Sequence, residues 1–365
     1  MVKRTLHVLA AALVAATGWG LGAGEGDVLA PEVMEFAGIR PGPSASLLAN
    51  GPNLTVVYAD RDTTSLRALE LPVDGALPGV APRDMFVDKV DTAAPLGGSF
   101  GLHAVAAIDG RPRLLYLDRE KDDRQLLKRV TREAGGWRLE LLEPFGLPVA
   151  ALAGTGGKPL DVWASGSLRL RDATGDRVLR EPFAPRGQAS TLFDGGEPVG
   201  FACWDDATDR LVVVRSGLNG IGSFVVPDAS PVYAAAGLPD GGLAVATWDS
   251  PSRRILLNEH DAQGALRRRS TVTICDGTNG LFLAPVDGGW LVVYDEVRPA
   301  PLGRWVWELA VLTPEPRSVG RPRYRRGLLT AGEEPIAGFR TLIEGGALFV
   351  LEMRDGLRLL KVPLP

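Results

Sequence analysis

The chain has 365 residues, a formal net charge of −4 and a hydrophobic fraction of 45%. So small a charge on a chain of this length gives no electrostatic basis for binding nucleic acid or an acidic membrane surface. Glycine (45) and proline (28) make up about a fifth of the chain and are spread along it, which is typical of many turns between short strands and not of a disordered tail.

The N-terminal segment is typical of a secretory signal peptide. Lys3 and Arg4 form a basic start, and residues 8–16 form an apolar run too short to span a bilayer. Small residues follow, and we expect residues 1–26 to be the signal, with cleavage between about 22 and 26. A retained anchor is the alternative. No other apolar run approaches the ~20 residues of a membrane span, so residues 27–365 are expected to reach the periplasm or the cell exterior without a transmembrane segment.

A tight turn followed by a short apolar strand recurs seven times along the chain. The clearest copy is residues 287–295, Asp-Gly-Gly-Trp-Leu-Val-Val-Tyr-Asp. Pairs such as Asn-Gly and Asp-Gly accept the positive φ that two-residue hairpins require. The strand after each turn is apolar on both faces, as expected for a strand buried on both sides. The copies begin at residues 50, 109, 156, 194, 240, 287 and 344.

Other strands are predicted around these copies. A spare strand, 28–36, precedes the first copy, and no long helix is convincing, although residues 118–132 have a helical composition. Third strands are predicted at 65–71, 124–130, 167–171, 209–215, 253–259, 305–312 and 357–362. Fourth strands are predicted at 136–142, 222–226 and 270–275.

Seven units of three or four strands resemble the blades of a β-propeller. The resemblance covers nearly all of residues 27–365, which are expected to form one domain. It implies an all-β, seven-bladed ring closed by strands from both termini, because residues 335–365 supply only three strands and 28–36 supply a spare one. WD-repeat proteins are similar in shape only. Trp204-Asp205 and Trp248-Asp249 occur, but the Gly-His pairs of that family are absent.

Acidic residues end most of the second strands, and in a propeller these positions share one face. Carboxylates there are candidates to bind a cation or a basic partner, since hard cations prefer oxygen ligands. The alternative is that each acid caps its own turn by bonding to the backbone. The set is Asp60, Asp118, Asp205, Asp206, Asp249, Asp295, Glu296 and Glu352.

A basic cluster surrounds Tyr324 in a segment expected to connect the sixth and seventh blades. Arginine forks bind carboxylates and phosphates bidentately, so an anionic glycan or an acidic protein face is one candidate partner and a solvated loop is the alternative. The cluster contains Arg317, Arg321, Arg323, Arg325 and Arg326.

Aromatic residues precede most of the acids. Their regular recurrence inside apolar strands favours packing between blades over stacking against sugars or bases. They are Tyr58, Tyr116, Trp163, Trp204, Trp248 and Tyr294. Cys203 and Cys275 lie in separate strands, which favours two buried free thiols, with a disulfide as the alternative for an exported chain.

Catalytic and metal motifs are weak. Residues 97–101 match G-x-S-x-G, but a strand is predicted where that motif requires a helix. His103 and His260 could in principle complete a Ser-His-Asp set. Cys203 and Cys275 have no C-x-x-C or histidine partner, so we expect neither a metal nor a cofactor.

These patterns favour an exported, non-catalytic binding or scaffold propeller of the cell envelope or exterior. Its expected partner is an envelope or extracellular protein or glycan, not nucleic acid, contacted through the face that carries the acids. Residues 77–98 and 296–305 are expected to decorate that face. The alternative is a hydrolase or lyase acting on a glycan or lactone in the central channel, through convergence of the acids with the histidines.

Overall fold

The computed structural model describes residues 27–28, 30–39, 41–60, 62, 64–74, 76–77, 80–89, 103–119, 125–143, 146–154, 157–194, 196–217, 220–300, 303–315 and 323–364. The expected signal segment, residues 1–26, lies outside these ranges. The strands, in chain order, are β1 Asp27–Val28, β2 Glu32–Phe36, β3 Pro41–Asn50, β4 Asn53–Asp60, β5 Ser65–Pro72, β6 Arg83–Lys89, β7 His103–Ile108, β8 Arg111–Arg119, β9 Gln125–Glu133, β10 Gly136–Glu143, β11 Leu147–Ala153, β12 Pro159–Ala164, β13 Leu168–Asp172, β14 Gly175–Arg180, β15 Pro185–Asp194, β16 Glu197–Asp205, β17 Arg210–Gly217, β18 Gly220–Val226, β19 Tyr233–Gly237, β20 Leu243–Asp249, β21 Arg254–His260, β22 Leu266–Ile274, β23 Leu281–Val286, β24 Gly289–Ala300, β25 Arg304–Pro314, β26 Tyr324–Gly332, β27 Gly338–Glu344, β28 Ala347–Met353 and β29 Leu357–Pro363.

The strands form seven antiparallel sheets, which are the blades of a β-propeller. Blades 1 to 6 are β3–β6, β7–β10, β11–β14, β15–β18, β19–β22 and β23–β26, each in chain order from the inner to the outer strand. Blade 7 is β27, β28, β29 and β2. Inner strands contact the inner strands of neighbouring blades around the whole ring, from β3 with β7 to β27 with β3. The predicted all-β, seven-bladed fold is therefore confirmed.

Strands from both ends of the chain close the ring, as predicted. β2 pairs antiparallel with β29, from Glu32 opposite Lys361 to Phe36 opposite Leu357. β1 pairs in parallel with β26 of blade 6. The N-terminal segment therefore runs outside the boundary between blades 6 and 7 before it completes blade 7.

The hydrophobic core lies between the blades, because most strands bury apolar side chains on both faces. Between blades 7 and 1, for example, Phe36, Tyr58 and Phe349 belong to one buried cluster. Similar clusters fill the boundaries further around the ring. The stability of the ring therefore depends on contacts between neighbouring blades.

The seven repeated turns join first to second strands, and glycine or aspartate adopts the positive φ that they need. Asp109 has φ 51° and Gly110 has φ 66° in blade 2, and Gly288 has φ 84° in blade 6. These turns and those between third and fourth strands lie on one face of the ring. The turns between second and third strands and the connections between blades lie on the other, which is called the acidic face below.

One local prediction was wrong. Residues 77–98 do not form one decorating loop, because β6 occupies Arg83–Lys89 as the outer strand of blade 1. Residues 118–132 have a helical composition, but β8 ends at Arg119 and β9 begins at Gln125, in agreement with the strand predicted at 124–130. No helix in the described ranges has the length and apolar character needed to cross a membrane.

Candidate functional site

The acids that end the second strands lie on the acidic face, and each accepts hydrogen bonds from, or forms an ion pair with, a neighbouring turn or strand. Asp205 is fully buried. Its Oδ1 accepts hydrogen bonds from the amides of Ala184 (2.9 Å) and Ala207 (3.1 Å), and its Oδ2 accepts one from the Thr208 hydroxyl (2.7 Å). This carboxylate ties the turn after β16 to the chain segment that enters blade 4.

Asp295 has the same role in blade 6. Its Oδ1 accepts hydrogen bonds from the Thr278 hydroxyl (2.8 Å) and from the amides of Asn279 (3.0 Å) and Gly280 (2.8 Å). Burial raises the pKa of Asp295, and these hydrogen bonds oppose that rise. Asp60 accepts a bond from the Asp62 amide (3.1 Å), and Asp249 accepts one from the Ser252 hydroxyl.

The remaining acids of the set form ion pairs. Asp118 accepts a 2.6 Å bond from Lys128, whose ammonium also lies 3.1 Å from Asp88 of blade 1. Glu352 is fully buried; its Oε1 accepts bonds from Thr330 (2.7 Å) and Arg354 (2.8 Å). Its Oε2 accepts bonds from Arg358, the shorter being 2.6 Å.

The acids are thus distributed among the blades, and each fixes a turn or a neighbouring strand. Within the described ranges, no three histidine, cysteine or acidic side chains are grouped so that they could hold a metal ion. The geometry favours turn capping for Asp205 and Asp295 and salt bridging for Asp118 and Glu352.

A long hairpin in blade 6, formed by β24 and β25, lies on the acidic face. β24 and β25 pair as far as Ala300 opposite Arg304. One side of the hairpin carries a charged network: the Arg298 guanidinium donates to Glu296 (2.7 Å), and Arg326 contacts Glu308 and also lies 3.6 Å from Glu296. This network braces the base of the hairpin.

The other side of the hairpin faces blade 7. Trp307 packs against the apolar cluster between blades 6 and 7, and its carbonyl accepts a 3.4 Å bond from Arg354. Near the tip, Arg304 pairs with Glu333 at 2.8 Å. Trp305, between these two contacts in sequence, remains 57% exposed. The prediction that residues 296–305 decorate this face holds, and their form is a braced hairpin with an exposed indole.

The arginine cluster lies elsewhere than predicted. It does not connect blades 6 and 7, because β25 ends at Pro314 and β26 begins at Tyr324, so the chain between them joins the third and fourth strands of blade 6. Pro314 lies against Gly289, which places these strand ends on the face opposite the acids. Arg323 and Arg325 are exposed there, whereas Arg326 belongs to the hairpin network. Arg317 and Arg321 lie outside the described residues.

The two candidate histidines do not form a catalytic set with the acids. His260 is buried, and its Nδ1 lies 3.1 Å from the Gly264 carbonyl. It sits at one end of β21 while Asp249 pairs with the other end, opposite Arg254. Burial lowers the pKa of His260. The side chain of His103 and the Gly-rich motif at residues 97–101 lie outside the described residues.

The aromatics and thiols are structural. Five of the six predicted aromatics are buried, and the sixth, Trp248, donates a 3.1 Å bond to the Cys275 carbonyl. Cys203 and Cys275 are free and buried, as favoured from the sequence. The buried carboxylate Asp161 was missed: it receives Arg113 of blade 2 through two 2.7 Å bonds. No motif marks a pair 48 residues apart.

Several solved structures share this fold. YCF48 bound to D1 peptide aligns with a TM-score of 0.56 and 10% identity, over 93% of this chain and 98% of that one. A catalytically inactive virginiamycin B lyase from Staphylococcus aureus with quinupristin aligns with 0.53 and 10%, over 92% and 99%. The WD40 domain of Toxoplasma gondii coronin aligns with 0.53 and 10%, over 93% and 89%. At these identities the likeness shows the fold alone. No protein-family model matches the chain, and no curated protein matches its sequence.

Proposed function

We propose that this chain is an exported, non-catalytic binding propeller of the cell envelope or exterior, and that it contacts a protein or glycan partner through its acidic face. The observation that carries the proposal is the braced β24–β25 hairpin, which holds Trp305 with 57% of its surface exposed. Large exposed aromatics on a rigid support are the typical anchors of binding interfaces.

The bracing supports binding because it lowers the entropy lost when the hairpin is ordered against a partner. Arg298 and Arg326 hold one side of the hairpin through Glu296 and Glu308. Arg354, itself fixed by Glu352, holds the other side through the Trp307 carbonyl. The tip is therefore positioned before any partner arrives.

The neighbouring folds are compatible with this reading. One solved structure with this fold is YCF48 bound to D1 peptide, and another is the virginiamycin B lyase with quinupristin. Because both classes use the same architecture, the architecture does not choose between them. The exposed hairpin favours binding, and the separation of His260 from Asp249 removes one predicted part of the hydrolase or lyase alternative.

The test is site-specific photo-crosslinking in the native cells. A photoreactive amino acid replaces Trp305 in one variant and Phe86 in a matched control, since Phe86 is an equally exposed aromatic (58%) on the outer strand of blade 1. We expect a reproducible crosslinked partner from position 305 and none from position 86. Equal crosslinking from both positions, or none from either, would count against the acidic face as the contact surface.

Export is tested separately by fractionating the cells and determining the N-terminus of the mature chain. We expect cleavage between about residues 22 and 26 and recovery outside the cytoplasm. An uncut chain in the cytoplasm would contradict export without affecting the crosslinking result. Turnover of glycans or lactones by the purified chain would instead favour the enzyme alternative.

A further inference from the structure

The inner strand of blade 7 carries an arginine, Arg340, among apolar neighbours. Arg340 lies in β27, the inner strand of blade 7, which contacts β3 of blade 1 and so borders the central channel. Its cross-strand partner is Leu351, which is fully buried. Leu342, two residues along on the same side of the strand, packs against the apolar cluster between blades 7 and 1.

The Arg340 guanidinium is only partly satisfied by the protein. Its Nη1 donates to the carbonyl of the adjacent Phe339 at 2.7 Å. Its Nε is buried and makes no hydrogen bond, and within the described residues no carboxylate lies at ion-pair distance. Burial lowers the pKa of Arg340 to about 10, so the group still carries its charge at neutral pH.

A buried guanidinium without a counter-ion costs free energy unless another group supplies the opposite charge and the missing hydrogen bonds. An uncompensated charge in an apolar environment is strongly unfavourable, and natural proteins pair such groups. Arg113, which is paired with Asp161, and Arg354, which is paired with Glu352, follow that rule. Arg215 and Arg340 each have a buried Nε without a hydrogen bond, and of these two only Arg340 lies on the inner strand of a blade.

The edge of Arg340 that has no partner among the described residues is the edge that this protein uses elsewhere to hold carboxylates. Arg113 binds Asp161 through Nε and Nη2, both at 2.7 Å, and Arg171 binds Asp176 through the same two atoms at 2.5 and 2.7 Å. On Arg340 the Phe339 carbonyl occupies only Nη1.

We propose that Arg340 binds the carboxylate of a small ligand at the inner edge of blade 7, through Nε and Nη2. One guanidinium balances one carboxylate, whereas a doubly charged phosphate would leave excess charge beside Leu351 and Leu342. These apolar neighbours also suit a ligand whose carboxylate is attached to an apolar body. The site lies on the inner strand and not on the β24–β25 hairpin, so it does not depend on the proposed function.

The test is calorimetric titration of the full chain with sodium benzoate, sodium phosphate and sodium chloride at matched ionic strength. We expect the wild-type chain to bind benzoate in preference to phosphate. Arg340→Met should weaken benzoate binding at least tenfold, and Arg340→Lys should weaken it less, because lysine keeps the charge but loses the fork. The matched control is Arg83→Met, which removes the same charge from a side chain that is 71% exposed and should leave affinity unchanged.

Several results would overturn the inference. They are an absence of benzoate binding by the wild-type chain, equal affinity in Arg340→Met, and phosphate binding as strong as benzoate binding. If Arg340→Met fails to fold, Arg340→Lys carries the test, and unchanged benzoate affinity in that variant refutes the site. The Trp305 crosslinking experiment uses a different surface, so either result can fail without the other.

Discussion

The ion pair between Arg113 of blade 2 and Asp161 of blade 3 allows a direct test of how burial sets the contribution of an ion pair to the free energy of unfolding. Asp161 is 1% exposed and receives two 2.7 Å bonds from Arg113, and it also contacts Arg129. Asp161→Asn removes the negative charge that both guanidinium groups share. Breaking a buried pair from one side costs about 3–5 kcal/mol, because the remaining charge is uncompensated.

A matched control exists in blade 3. Arg171 and Asp176 form the same two-bond geometry, but their side chains are 29% and 34% exposed. Pairs at exposed sites contribute about 0–1 kcal/mol, so Asp176→Asn should change the free energy of unfolding by no more than that. Both variants remove the carboxylate charge from a two-bond arginine pair, so they differ in burial and in the second arginine, Arg129, that Asp161 also contacts.

The assay is urea denaturation of the wild-type chain and both variants, followed by tryptophan fluorescence. We expect Asp161→Asn to lose several times more stability than Asp176→Asn. The double variant Arg113→Met, Asp161→Leu should recover part of that loss, because an apolar pair leaves less charge uncompensated. Equal losses in the two single variants would refute the argument that burial governs these pairs.

Three further predictions follow from the fold. Phe36→Ala should cost about 3–5 kcal/mol of stability in thermal or urea denaturation, because Phe36 is 4% exposed in the strand that closes the ring. Val33→Ala, on the same strand but 40% exposed, should cost little. Similar losses in the two variants would contradict closure by β2. His260 has a lowered pKa in the folded chain, so its contribution to stability is present above the unfolded pKa of about 6.5 and is lost as the pH falls below that value. His260→Gln should therefore flatten the fall in the urea midpoint between pH 7.5 and 5. An unchanged slope would refute this prediction. Burial raises the pKa of both Cys203 and Cys275 to about 12, so a thiol reagent at pH 8 should label neither in the native chain and both in urea, and rapid native labelling would contradict their burial.

The sequence predicted most of the ring because its signals are local. The turn at Asp109-Gly110 needs positive φ, and the apolar runs after the turns are buried on both faces. Closure could be predicted by counting, since the last unit lacked one strand and the N-terminal segment supplied it. These signals depend only on residues that are neighbours in the chain.

The errors arose where strands are polar or contacts are distant. β6 and β26 are outer strands with exposed positions, so residues 77–98 and the arginine cluster were interpreted as connections. The network that braces the hairpin joins Glu296 to Arg326, and Arg340 stands out only because none of the described carboxylates lies at ion-pair distance from it. Neither arrangement leaves a pattern in the sequence.

The pairing of β2 with β29 also has a consequence for synthesis. Roughly 320 residues separate Phe36 from its partner Leu357, and at about 5–20 residues per second a ribosome needs some 15–60 seconds to add them. During that time β2 has no partner strand, and the boundary between blades 7 and 1 stays open. A chain that stalls before β29 therefore carries an unpaired strand and an exposed apolar face, the features that chaperones and proteases recognise.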